Sequence, residues 1–246
     1  MRTLHIVMPM AGEGSRFANA GWDIPKPLIE LNGKALFQRA IDSVKNDCLS
    51  MKYSFIVRQD HIERYAIDLK IKSLIPNANL FAVQRTTRGA VETCLMAESV
   101  IADDDAVIVM DCDLEFRSIE YENLVIESLS QTDQISIDGV LLSFRSRDPR
   151  YSYACVDENN RVTRTAEKEP ISDHALCGAY YFAQGKVFKK YAHQLLLDGT
   201  QGKKEFYISL LYNYLINEGK QIYLANMQEY KSYGTPEELN QYFCNE

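Results

Sequence analysis

No window of this chain approaches eighteen uninterrupted apolar residues, and its N-terminus runs into a strand without a basic segment and long apolar stretch ahead of it. Neither a membrane span nor a secretory leader is expected, and the protein reads as cytoplasmic. A basic excess is missing too: 27 Lys and Arg face 34 Asp and Glu, for a net charge of -7. That balance argues against a nucleic-acid partner, whose phosphates call for a basic face, so any phosphate-binding charge must be local. The six cysteines, Cys48, Cys94, Cys112, Cys155, Cys177 and Cys244, form no Cys-x-x-Cys pair, and several fall in apolar runs, so reduced core thiols are expected. None of His5, His61, His174 and His193 has a partner at zinc-ligand spacing. Internal repeats, linkers and low-complexity tracts are absent, and one domain over residues 1–246 is expected.

What the chain has is alternation. Apolar runs predict strands at Leu4 to Met8, Tyr53 to Val57, Asn79 to Val83 and Ala106 to Met110, with helical periodicity over Ala35 to Val44, His61 to Leu74 and Gly89 to Ile101 between them. Such units predict an α/β fold, a Rossmann-like α/β/α sandwich with a mixed, mostly parallel central sheet. After residue 115 the alternation loosens. Strands are expected at Gly139 to Phe144 and Leu176 to Phe182, and a hairpin of Tyr153 to Val156 with Arg161 to Thr165 turns at Asn159-Asn160. Helices follow over Lys186 to Leu197 and Glu205 to Asn217, then a strand at Ile222 to Ala225 and a last helix opened by Thr235-Pro236-Glu237-Glu238.

Ligands of such sheets gather beyond the strand C-termini, so the glycine turn after the first strand, Gln84 to Gly89 and Asp111 to Asp113 are expected to meet at one cleft. After the first strand, Ala11-Gly12-Glu13-Gly14-Ser15-Arg16 offers bare backbone amides and a guanidinium, a combination suited to phosphate oxygens. Position 17 is Phe17 and no Gly-Lys-Ser/Thr occurs, so neither a dinucleotide fingerprint nor a P-loop is present. Ten residues on, Pro25-Lys26-Pro27 mounts one lysine between two rings that fix φ. Met110-Asp111-Cys112-Asp113 ends a buried strand with two carboxylates on one side and Cys112 facing away. Hard carboxylate oxygens suit Mg²⁺.

Gly12-x-Gly14-x-Arg16-Phe17 followed by Pro25-Lys26-Pro27-Leu28 resembles the signature of the sugar-phosphate nucleotidyltransferases. The resemblance implies a GT-A-like nucleotidyltransferase fold, with a nucleotide-binding half over about 1–115 and an acceptor-binding half over about 116–246. It places Ala11, Gly12, Gly14, Gln84 and Gly89 at the nucleotide and Arg16 and Lys26 in catalysis. Asp113, assisted by Asp111, would hold Mg²⁺. Glu167-Lys168-Glu169-Pro170 is similar to the family's Glu-Lys-Pro segment, and Gly178-Ala179-Tyr180 to its Gly-x-Tyr strand, which implies acceptor binding by Glu167, Lys168 and Gly178.

The implied reaction joins an NTP, a pyrimidine nucleotide being favoured, to a sugar 1-phosphate for surface polysaccharide synthesis, with release of pyrophosphate. Two departures bear on it. Ser152 stands where many sugar-specific relatives have glycine and is expected to crowd a hexose, which keeps open a CTP-dependent enzyme for a phosphorylated alcohol such as choline phosphate. Ser232, within Tyr230-Lys231-Ser232-Tyr233-Gly234-Thr235-Pro236, takes the place of a second metal aspartate, which keeps open a catalytically silent nucleotide-sensing subunit. A nucleotide-sugar-dependent glycosyltransferase also uses Asp-x-Asp at a strand end, but the glycine turn and Pro-Lys-Pro speak against it. Self-association is left open by the sequence.

Overall fold

Strand β1 (Leu4–Met10) buries both faces, with Leu4, Ile6, Met8 and Met10 in one apolar cluster and Val7 in the opposite one. Period-2 alternation with both sides apolar is what a central parallel strand requires. The computed structural model describes residues 2–130, 136–200 and 202–243. After β1 come a short helix α1 (Ser15–Asn19), a hairpin β2 (Glu30–Leu31) and β3 (Lys34–Ala35), and helix α2 (Leu36–Asp42). Then follow β4 (Met51–Arg58), α3 (Gln59–Tyr65), α4 (Ile67–Leu74), β5 (Asn79–Val83), α5 (Ala90–Leu95) and β6 (Ala106–Met110). The second half contains β7 (Leu114–Arg117), α6 (Ile119–Ser130), β8 (Gly139–Arg145), β9 (Ser152–Val156), β10 (Val162–Glu167) and β11 (His174–Phe182). It closes with α7 (Gly185–Asp198), α8 (Leu211–Asn217), β12 (Ile222–Asn226), β13 (Glu229–Ser232) and α9 (Pro236–Phe243).

Among the described residues nine strands share one sheet. Its path runs β10-β9-β11-β6-β1-β4-β5, with β8 joined to β11 and β12 to β8. From β6 through β1 and β4 to β5 all pairings are parallel, whereas β11 runs antiparallel to β6, β8 and β9. Helices α2, α4 and α6 cover one face through Phe37, Ile41, Ile71, Tyr121 and Val125, and α5, α7 and α8 cover the other through Val91, Phe188, Tyr191, Leu211 and Leu215. A third cluster lies off the sheet. Phe17, Ile29, Leu31 and Leu36 from the N-terminal segment pack with Tyr233 and Leu239 from the C-terminal one.

Three expected helices break. Ala66, at φ 49°, separates α3 from α4, and this turn sends Ile67 and Ile71 into the core while α3 buries nothing. The third helix stops at Leu95, with a 3₁₀ turn at Glu98–Val100. Residues 205–207 are not helical because they bond to the turn at Gly89: Phe206 N–H donates to Arg88 O (2.9 Å) and Val91 N–H to Phe206 O (3.2 Å). Among the cysteines, Cys94, Cys112 and Cys177 are buried, but Cys48 is exposed and Cys155 half-buried, so the expected core role fails at those two. No disulfide joins the described cysteines, and Cys244 lies outside the described residues. Among the described residues no helix is long and apolar enough to cross a membrane.

His5 is fully buried on β1, with Nε2 2.8 Å from Ser54 Oγ. Burial pushes its pKa down to about 4, against the attraction of Asp105 and with repulsion from Lys52. The folded imidazole is neutral where the unfolded one is protonated, so stability is lost as pH falls from 6.5 toward 4. Through His5 alone the loss is expected to reach about 3 kcal/mol. Urea titrations of wild type and His5→Gln across this range should show a correspondingly weaker pH dependence in the variant; parallel curves would refute the assignment.

Candidate active site

Because β1 and β6 are adjacent and parallel, Leu4 pairing with Ala106 and Val7 with Val109, the segments that leave their C-terminal ends emerge side by side. One is the glycine turn, with Gly14 in the left-handed region at the start of α1. The other is Asp111-Cys112-Asp113. Together with Lys26 and the turn Thr86 to Ala90 they line a cavity of about 930 Å³ to which Ala11, Gly12, Gly14 and Ser15 contribute. Three segments expected to meet do meet here. Gln84 is exposed and lies outside this lining. Gly89 lines it from a position that tolerates no side chain: a Cβ would fall 2.5 Å from Phe206 N and 2.7 Å from Phe206 O.

A second cavity, of about 330 Å³, opens on the other side of the aspartates and is lined by Glu167, Lys168 and Gly178 among others. Asp111 and Asp113 belong to both linings, so the two spaces share a carboxylate wall. On this wall Lys26 Nζ donates to Asp113 Oδ2 at 2.5 Å, both side chains being partly exposed. Burial works against the ammonium, but the charge of Asp113, with Cys112 and Asp111 behind it, outweighs burial and raises the Lys26 pKa. Asp111 opens to cavity water but is enclosed by protein elsewhere. That enclosure first, and then the charge of Asp113, lift its pKa above the usual carboxylate range, while Lys26 pulls it back. Cys112 turns into the core, as alternation requires.

Gly178 makes the wall possible. Asp111 N–H donates to Gly178 O at 2.8 Å, and a Cβ on Gly178 would sit 2.0 Å from Asp111 Oδ2. Glu167, buried, accepts from Ser152 Oγ and from Ser209 Oγ (2.8 Å). Ser152 is thus buried and bonded to Glu167, and it belongs to the lining of the second cavity. Lys168 takes φ 55° and donates to the Tyr207 hydroxyl at 2.6 Å, its Nζ 4.6 Å from the ring centre. Arg16 differs from expectation: its side chain lines the second cavity, with an exposed contact to Gly234 O at 3.5 Å, and not the glycine-turn cavity.

The C-terminal segment reaches this wall through β13, which pairs antiparallel with β7 so that Ser232 lies opposite Leu114. Tyr233 N–H donates to Asp113 O at 2.8 Å, and its hydroxyl joins Arg39 and Lys231 on Glu115. Sequence reasoning missed Tyr207 and Arg150, which line the second cavity, and Ser209, buried behind Glu167, because their pairings are non-local and leave no local pattern. Glu238 was legible only as the far end of a helix cap.

A family model described as Nucleotidyl transferase matches residues 5–243. Among curated proteins, the Bifunctional protein GlmU of Buchnera aphidicola subsp. Schizaphis graminum is 24% identical over 212 residues, 84% of this chain; the match spans 42% of that protein's length. Among solved structures, the nucleoside-diphosphate-sugar pyrophosphorylase of Vibrio cholerae RC9 superposes with a TM-score of 0.82 at 27% identity, covering 96% of this chain and 98% of that one. A putative glucose-1-phosphate thymidylyltransferase from Bacillus anthracis shares the fold, with TM-score 0.76 and 19% identity over 97% of this chain and 93% of its own.

Gly178→Ala is expected to destabilise the protein by about 1–3 kcal/mol, the usual cost of an overpacked methyl. Adding Asp111→Ala removes the carboxylate that the methyl meets but leaves the Cβ of residue 111 2.8 Å from it, so the double variant should recover part of that loss. Denaturant unfolding of the two single variants, the double variant and wild type checks this; additive losses would rule it out.

Proposed function

This chain belongs to the nucleotidyl transferase family, of nucleotide-sugar pyrophosphorylase type, and we propose that it joins an NTP to a sugar 1-phosphate or a similar phosphorylated acceptor, releasing pyrophosphate. The observation that carries this reading is the shared wall: two cavities meet at Asp111 and Asp113, with Lys26 fixed upon it. The larger takes the nucleotide, its phosphates toward the amides of Gly12 to Ser15, and the smaller takes the acceptor. A phosphate oxygen of the acceptor attacks the α-phosphorus. The new P–O bond forms as the bond to the β-phosphate oxygen breaks, and pyrophosphate leaves with that electron pair. The acceptor phosphate is already ionised near neutral pH, so no side chain need remove a proton.

What remains is to bring two polyanions together and offset the charge that develops between them. Lys26 lies where the two substrates meet and suits the bridging oxygens of the α-phosphate. Lys168 and Arg150, held against the faces of Tyr207 and Tyr151, present two cations to the acceptor, which favours an anionic group there. Those ring faces are already occupied by the chain's own cations, an arrangement less suited to a quaternary ammonium. The donor set also fits Mg²⁺. Asp113 and Asp111 supply hard oxygens, Lys26 stands as a cation on Asp113, and among the described residues no group of three or more His, Cys, Asp or Glu forms a ready-made cage. Mg²⁺ commonly uses one or two carboxylates, several waters and substrate phosphates. When bound it would polarise the α-phosphate and neutralise charge. The product is an activated unit of the kind that polysaccharide assembly consumes.

The test is a pyrophosphate-release screen of the four NTPs against phosphorylated sugars and phosphorylated alcohols, choline phosphate included, with Mg²⁺ present. Release with one acceptor class names donor and acceptor together. Tight NTP binding with no release from any pair would replace the enzyme reading with that of a nucleotide sensor. Lys26→Ala is expected to lower kcat by about a hundred- to a thousand-fold, the loss typical of one preorganised donor, with a smaller change in the KM for nucleotide. An unchanged kcat would remove Lys26 from this role.

A further inference from the structure

Gly234 faces a small space bounded by three oxygens from three different elements. A Cβ built on it would lie 3.3 Å from Glu238 Oε2 and 3.6 Å from both Asp113 Oδ2 and Ser232 Oγ, with no nearer atom outside its own chain neighbours. Asp113 arrives from the end of β6, Ser232 from β13 and Glu238 from the first turn of α9. Tyr233, between the last two, is tied to the Asp113 backbone at 2.8 Å, so the three oxygens are held in register.

Each of the two carboxylates is matched by a cation of the chain. Lys26 meets Asp113 at 2.5 Å, and Arg150 meets Glu238 Oε1 at 2.6 Å. Lys26 lines the larger cavity and Arg150 the smaller, the spaces assigned to the two phosphorylated substrates. Phosphates entering there compete for both cations, and two carboxylates are then left facing one hollow. Two like charges facing one hollow favour a counter-ion between them.

We propose that Glu238 is a further carboxylate of the divalent-cation site, supplying from α9 the negative charge that Ser232 lacks, with Arg150 as its counter-cation in the substrate-free protein. The proposal rests on the reading that Asp113 holds Mg²⁺. A simpler role for Glu238 is visible and does not suffice. Thr235 N–H donates to Glu238 Oε2 (3.2 Å) and Glu238 N–H to Thr235 Oγ1 (3.3 Å), a reciprocal helix cap. Glutamine closes that cap as well as glutamate, so the cap gives no reason for the charge. Nor does it involve Asp113, which shares the hollow.

Glu238→Gln therefore keeps the cap and deletes the charge. The measurement is Mn²⁺ titrated into the purified full-length protein with saturating inorganic phosphate, which draws Lys26 and Arg150 off the carboxylates, and free Mn²⁺ is read by electron paramagnetic resonance against a protein-free control. Wild type is expected to bind. Asp113→Asn should abolish binding, Glu238→Gln should weaken it by about tenfold or more, and Glu238→Gln with Ser232→Asp should restore it. Wild-type affinity in Glu238→Gln, with binding lost in Asp113→Asn, would overturn the inference while leaving the Asp113 reading intact. No binding by wild type, or full binding by Asp113→Asn, would overturn the metal reading and this inference with it. Thermal melts of each variant confirm that the fold is retained.

Discussion

Repulsion between Asp111 and Asp113 is the constraint around which this molecule is built. Two carboxylates stand at the mouth of a buried strand, where water reaches them only from the cavity side, and their mutual repulsion is offset by Lys26. Everything nearby manages that charge. Gly178 gives Asp111 the room it needs, and Pro25 and Pro27 limit how far the Lys26 backbone can retreat. A partly exposed ion pair of this sort contributes little to stability, so its value lies in keeping a cation and an anion ready for exchange. A phosphate is a stronger competitor for Lys26 than water is.

The chemistry depends as much on a small apolar cluster set apart from the sheet. Phe17 follows Arg16 directly, and Tyr233 lies between Ser232 and Gly234; their side chains pack in the same cluster with Leu36 and Leu239. The first and last segments of the described chain thus share one core, and the glycine turn is braced against the segment that closes the far side of the wall. Burying a large aromatic side chain contributes roughly 1.5–3 kcal/mol, more than the exposed 3.5 Å contact from Arg16 to Gly234 can. Apolar packing fixes the frame, and the polar groups are carried by it.

Much of this was legible in the sequence because it rests on local periodicity. The parallel strands and the meeting of Gly12 to Arg16 with Asp111 to Asp113 follow from alternation and from the rule that ligands gather beyond strand ends. What stayed hidden is non-local. The pairing of β7 with β13 joins segments more than a hundred residues apart and is four residues long, too short to carry a pattern. Helix α6 was missed as well. The break at Ala66 left no trace, since alanine favours a continuous helix and only the packing of Ile67 and Ile71 overrides that preference. The tie of Ser152 to Glu167, which also accepts from Ser209, was not legible because these residues come from separate elements.

Residues 205–207 give this architecture a strut. Phe206 lies against Gly89 in the lining of the larger cavity, while Tyr207, its neighbour, carries Lys168 in the lining of the smaller one. A three-residue span thus fastens the linings of two cavities whose residues are distant in the chain. Any exchange of β9 through β11 with another chain must carry this strut along, or the grafted lysine will arrive without its aromatic support.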